Sequence, residues 1–201
     1  MLWNTTDCLT YAEGKMQISC MVGRLNRIHI LGASGSGTTT LGRALSVRRN
    51  CRFLDTDDYF WKAKYSEVNK AEDRITLIRN EIGDAERWVL SGSLCGWGDI
   101  FIELFDLVVF IYLPNEIRMA RLKERERLRY GNDILPGGNR YSEYVTLIEW
   151  SARYDEAGPE IRSRIGHEQW LSTLKCPILR LAGESSVEEK LTIIEQFGHS
   201  G

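Results

Sequence analysis

The stretch Gly32-Ala33-Ser34-Gly35-Ser36-Gly37-Thr38-Thr39-Thr40 has Gly32 and Gly37 separated by four residues and followed by threonines. That pattern turns backbone N–H groups inward, and inward N–H groups bind phosphate. Glycine permits the dihedrals and the close approach this needs. Gly32, Ser34, Gly35, Ser36, Gly37, Thr38, Thr39 and Thr40 are therefore the expected contacts of a nucleotide's phosphates. Thr39 stands where a hydroxyl would bind Mg²⁺. Thr38 stands where such loops carry lysine, so the phosphate charge must be met from elsewhere.

Two further groups supply candidates. Asp55, Asp57 and Asp58 follow an apolar segment. Magnesium prefers oxygen ligands, few of them from the protein. Asp57, or Asp55 through water, is expected to join Thr39 at the metal. The other carboxylate would orient an acceptor or take its proton, and one aspartate is expected to cap the next helix. Arg118, Arg121, Arg125 and Arg129 share a helical face, with Lys123 and Arg127 off it. The glycine-rich segment 130–140 follows and suits a mobile lid. Arg121 and Arg125 are the expected substitutes for the missing lysine. Ser91 or Ser93, beside Gly92, is expected to meet substrate or metal-bound water; no carboxylate ends that strand. Trp88, Trp150 and Trp170 read as packing residues, while Trp61 and Trp97 adjoin the motifs. His29 and His167 read as structural.

These groups need elements to hold them. Short apolar runs at 27–31, 51–55, 87–93, 106–114 and 176–183 read as strands. Helices are expected over 38–50, 66–84 (with Ile75, Ile78 and Ile82 on one stripe), 115–131, 142–156 and 186–197. Alternation of this kind predicts a parallel sheet with helices on both faces. Ligands of such sheets sit at the carboxyl ends of the strands, where the glycine loop, the aspartates and Ser91-Gly92-Ser93 all fall.

The chain has 201 residues and a formal charge of −2. Its length suits one domain over 23–201 with a lid around 125–141. Residues 1–22 read as an extension or a misassigned start. The charge balance argues against a general nucleic-acid binder, and no apolar run is long enough to span a bilayer. The cysteines, Cys8, Cys20, Cys51, Cys95 and Cys176, are dispersed, as expected of reduced thiols in a cytoplasmic protein.

From about Ile28 to the last helix the chain resembles the P-loop small-molecule kinases, the adenylate kinase-related, shikimate kinase-like and gluconate kinase-like group. The resemblance rests on "GASGSGTTT", on "LDTDDYFW" in place of that group's DxD motif, on "VLSGS" and on "RLKER". It implies a P-loop NTPase three-layer α/β fold, strand order 2-3-1-4-5, ATP on the loop and Mg²⁺ on its phosphates. It also implies Thr39 as the metal hydroxyl, Asp55 and Asp57 as metal and acceptor carboxylates, and Arg121 and Arg125 as lid arginines. The expected activity is phosphoryl transfer from ATP to a small molecule. The alternatives are a nucleotide-binding regulator without turnover and a sulfotransferase, whose loop also dispenses with lysine.

Overall fold

The computed structural model describes residues 25–63 and 67–199. Residues 1–22, read above as an extension, lie outside them. In chain order the elements are β1 (Arg27–Gly32), α1 (Thr38–Arg49), β2 (Arg52–Asp55), α2 (Thr56–Phe60), β3 (Trp61–Ala63), β4 (Glu67–Val68), α3 (Ala71–Ile82), β5 (Trp88–Ser91), β6 (Leu107–Tyr112), α4 (Asn115–Tyr130), α5 (Tyr141–Ala152), α6 (Arg164–Leu171), β7 (Ile178–Ala182) and α7 (Val187–His199). Short 3-10 turns cover Asp99–Leu104, Gly131–Ile134 and Arg153–Asp155.

Five strands form one parallel sheet in the order β2-β5-β1-β6-β7. In terms of the strands expected from sequence this is 2-3-1-4-5. The unbroken apolar run of β6 is buried on both faces. Side chains alternate along each strand, and the core divides accordingly. Leu31, Leu90, Val108 and Phe110 pack on one face with Ile78, Trp88 and Trp170. Ile28, Ile30, Val89, Val109 and Ile111 pack on the other with Leu41, Leu45, Leu191 and Ile194. No helix among the described residues is long and apolar enough to cross a membrane. Cys51, Cys95 and Cys176 are free thiols.

The structure corrects one boundary. The helix expected over 66–84 begins only at Ala71, because β3 and β4 pair as a small antiparallel ribbon first. The Asn69 N–H donates to the Phe60 carbonyl (3.0 Å) and its side-chain amide to the Tyr59 carbonyl (2.9 Å). Those bonds hold the segment extended where helical periodicity alone would run on. Helix α6 was not expected at all. Ser163 caps it by accepting from the Gly166 N–H (3.0 Å), and His167, Trp170 and Leu171 form its buried stripe.

His29 lies wholly in the core, with Nδ1 3.0 Å from the Leu90 carbonyl oxygen and its ring stacked on Phe105. Burial lowers its pKa to about 4, against the raising effect of that backbone bond. It is neutral at physiological pH and has a structural place.

The stripe of α3 gives a direct check. Ile78 is fully buried while Leu77 is 44% exposed. Ile78→Ala should cost about 2–5 kcal/mol in urea unfolding, and Leu77→Ala less than about 0.5 kcal/mol. Equal losses would contradict the packing.

Candidate active site

The glycine loop takes its shape from two sharp backbone turns. Gly35 and Gly37 have φ of +85° and +95°, which side chains rarely adopt. Two contacts also exclude a side chain. A Cβ on Gly32 would lie 2.6 Å from the Ile111 carbonyl oxygen, and one on Gly35 2.5 Å from that of Arg118. Gly37 opens α1 without a side-chain cap, so the first-turn N–H groups, which have no helical partner, face the adjoining cleft. Its volume is about 1150 Å³, and all the loop residues named from sequence line it. The Ser36 hydroxyl is buried without a partner. Thr38 does not reach out as a lysine would: its methyl lies 3.3 Å from where a Cβ of Gly32 would stand.

Strand β2 delivers Asp55 to the same floor. The Thr39 hydroxyl donates to Asp55 Oδ2 at 2.8 Å, and Asp55 Oδ1 accepts from the Asp57 N–H at 3.1 Å. Asp55 is thus the cap of α2 as well as the partner of Thr39. Asp57 is exposed and lines the cleft. It is Asp55, not Asp57, that touches Thr39. Burial raises the Asp55 pKa above the ordinary aspartate range, and the neighbouring Asp57 charge adds to this; the two hydrogen bonds oppose it.

Helix α4 lays Arg121, Arg125 and Arg129 along the cleft. Arg121 Nη1 donates to the Gly183 carbonyl (3.2 Å), and the Arg125 Nε and Nη2 lie 2.9 and 2.7 Å from Oε1 of the buried Glu126. Arg127, off the stripe, pairs with Glu124 in solvent.

Arg118 departs from the expected face. It is fully buried and does not line the cleft. Its Nη1 donates to the Ser151 carbonyl (2.8 Å) and its Nη2 to Asn115 Oδ1 (2.7 Å). Nη1 also lies 3.5 Å from the Ser34 carbonyl oxygen, Nη2 3.5 Å from Asp155 Oδ2, and the guanidinium covers the Tyr154 ring. One side chain therefore joins the glycine loop, α4 and the end of α5.

The AAA domain family matches residues 28–146. The "Uncharacterized protein YqaC" of Bacillus subtilis (strain 168) is 48% identical over 82% of this chain and 92% of its own length. The chain belongs to the AAA domain family, with the fold of the P-loop small-molecule kinases. A cytidylate kinase of Methanocorpusculum labreanum is 32% identical over 51% of the chain and 64% of that kinase, so the chain spans less than two thirds of it. In fold the chain is similar to a shikimate kinase from Acinetobacter baumannii (TM-score 0.50, 19% identity, 88% of this chain and 94% of that one). It is also similar to a gluconokinase from Sinorhizobium meliloti 1021 (TM-score 0.50, 15% identity, 88% and 95%).

Several placements differ from expectation. Ser91 and Ser93 are buried and do not line the cleft; only Gly92 between them does. At Gly92 φ is +105°, and a Cβ would collide with Thr56, so the turn presents backbone and hides both hydroxyls. Ser93 Oγ instead lies 3.2 Å from His167 Nε2, whose Nδ1 lies 2.8 Å from the Tyr154 hydroxyl. Burial, then the nearby Arg162 charge, lowers the His167 pKa to about 3. Trp97 packs against Phe60 and Arg74, whereas Trp61 and Trp150 line the cleft. Trp150, read from sequence as a packing residue, is half-buried in the cleft wall. Sequence reasoning also missed Arg162 and Lys190. The Lys190 ammonium, in the first turn of α7, donates to the Gly183 (3.0 Å) and Ser185 carbonyls. Its only sequence signal was its place just after the last strand.

Removing Arg118 should cost far more than removing a solvent-paired arginine of the same helix. Arg118→Met leaves the Ser151 carbonyl and Asp155 without their cation and should cost about 3–5 kcal/mol. Arg127→Met should leave the urea midpoint unchanged. If both variants shift the midpoint alike, Arg118 does not hold the site together.

Proposed function

We propose that the protein transfers the γ-phosphoryl group of ATP, with Mg²⁺, to a small-molecule acceptor. The observation that carries this reading is the Thr39–Asp55 pair, 2.8 Å apart, on the floor of a cleft that also holds the glycine loop and the α4 arginines. The similarity to cytidylate kinases supports a nucleotide donor. Nothing in the site or the comparisons supports sulfuryl transfer or a regulator without turnover.

The donor set fits the metal. Thr39 and Asp55 offer oxygen only, and no group of three His, Cys, Asp or Glu among the described residues forms a metal cage. A site completed by phosphate oxygens and water is what Mg²⁺ favours. Bound there, it would supply positive charge to the β- and γ-phosphates.

The chain's own groups do the rest. Loop N–H groups hold the phosphates, and Arg125 and Arg129 neutralise the charge that builds on the transferring group. Arg121, tied to Gly183, stands toward the β7–α7 end, so the nucleoside would lie that way. Asp57, exposed to the cleft, is placed to take the acceptor's proton. The acceptor oxygen bonds to the γ-phosphorus, the bond from that phosphorus to the β–γ bridging oxygen breaks, and ADP leaves. Segment 125–141 would close over the site as a lid and exclude water.

A pH titration of nucleotide-induced thermal stabilisation, with and without Mg²⁺, tests the reading. The Asp55 carboxylate must be ionised to serve the metal, and its pKa is raised. The Mg²⁺-dependent gain should therefore vanish as pH falls through a value above the ~3.9 of an ordinary aspartate. Asp55→Asn should abolish most of that gain. By the same sign the ionised Asp55 destabilises the free protein as pH rises through its raised pKa. The ligand-free Asn variant should then match or exceed the parent's stability at neutral pH. A nucleotide response indifferent to Mg²⁺ in the parent protein would contradict the proposal.

A further inference from the structure

The cleft is larger than one ligand needs. Small-molecule pockets run about 300–1000 Å³, and this one holds about 1150 Å³. A nucleotide on the glycine loop with its nucleoside toward α7 leaves the opposite end free. Two tryptophans, Trp61 of β3 and Trp150 of α5, line the cleft, with Ser142, Glu143 and Thr146 of α5 beside Trp150. Flat apolar walls favour a flat ligand body.

Arg162 sets the charge of this end. It follows α5, is half-buried and lines the cleft. Its guanidinium lies 5.3 Å from the Trp150 ring centroid. Among the described residues it has no hydrogen-bond or ion-pair partner of its own, unlike Arg125 with Glu126 or Arg140 with Glu143. The titratable neighbours it faces, His167 of α6 and Cys95 after β5, offer no compensating anion: His167 is held neutral, and burial keeps the Cys95 thiol protonated. A half-buried cation without a partner is costly, and an anionic ligand removes that cost.

We infer that the acceptor is a small planar molecule bearing a hydroxyl and, at its far end, an anionic group that Arg162 binds. The ring lies between the Trp61 and Trp150 walls, and the hydroxyl is directed to Asp57. This rests on the phosphoryl-transfer reading above and names its substrate class. A carboxylate and a phosphate monoester share the required chemistry, since the arginine fork accepts either.

The test uses the full chain with Mg²⁺ and a non-hydrolysable ATP analogue, and measures probe affinity by calorimetry. The carboxylate arm compares hydroxymethylbenzoate with benzyl alcohol. The phosphate arm compares a nucleoside monophosphate whose primary hydroxyl is free with its nucleoside. A sugar acid serves as the non-planar anion. The anionic planar probe of one arm should bind roughly tenfold or more tightly than its neutral partner, a gain expected of a charge-assisted contact. Arg162→Met should erase that difference without changing affinity for the ATP analogue, and Arg162→Lys should retain part of it. Trp150→Leu should weaken anionic and neutral planar probes together. Should the sugar acid bind best, the neutral partners bind as well as the anions, or no planar anion bind while the ATP analogue does, the inference fails and phosphoryl transfer stands. Failure of the ATP analogue itself to bind would overturn the phosphoryl-transfer reading and, with it, this one.

Discussion

The buried guanidinium of Arg118 is the interaction on which the site depends. It has no access to solvent, so it persists only because backbone carbonyls, the Asn115 amide oxygen and the Asp155 carboxylate converge on it. The Gly35 turn presses against its backbone and the aliphatic part of its side chain. Through Tyr154 it leads to His167 and on to Ser93, beside the Gly92 turn. A flexible glycine loop thereby gains a rigid back. In a loop without lysine that rigidity matters more, since fixed N–H groups carry a greater share of phosphate binding.

Charge is then distributed by helix face. The same α4 repeat that buries Arg118 turns Arg121, Arg125 and Arg129 toward the cleft. Glu126, itself buried, fixes Arg125. The Thr38 methyl folds over Gly32 and leaves the loop's interior to backbone groups. In the reading proposed here the cation has moved from the loop to the lid. Its neutralising charge would then arrive with closure, coupling chemistry to the exclusion of water.

Much of this was legible in the chain. The apolar run of β6 and the strand-to-helix alternation led to the parallel sheet and its order, and glycine spacing led to the loop. The gathering of loop, Asp55 and Asp57 on one cleft followed from topology; Arg121 and Arg125 followed from their shared helical face before a glycine-rich segment. Other features were hidden for physical reasons. Helical periodicity places Arg118 with its neighbours but cannot show that α5 covers it. Two-residue alternation at Ser91 and Ser93 says nothing of a positive-φ turn that exposes Gly92 alone. Trp150 and Arg162 depend on how α5 and the segment after it fold back, a long-range contact with no local signature. The short β3–β4 ribbon is followed by Asn69, whose backbone N–H and side-chain amide donate to the Phe60 and Tyr59 carbonyls, bonds that periodicity does not register.

The central claim is that α4 arginines supply the charge absent at Thr38. A double-mutant cycle of Thr38→Lys and Arg125→Ala, read as turnover and as nucleotide affinity, tests it most directly. Transition-state arginines are worth roughly 10³–10⁵ in rate. Arg125→Ala should cut turnover by at least the lower figure with little loss of nucleotide affinity, and adding Thr38→Lys should recover part of it. Full turnover in Arg125→Ala would contradict the claim.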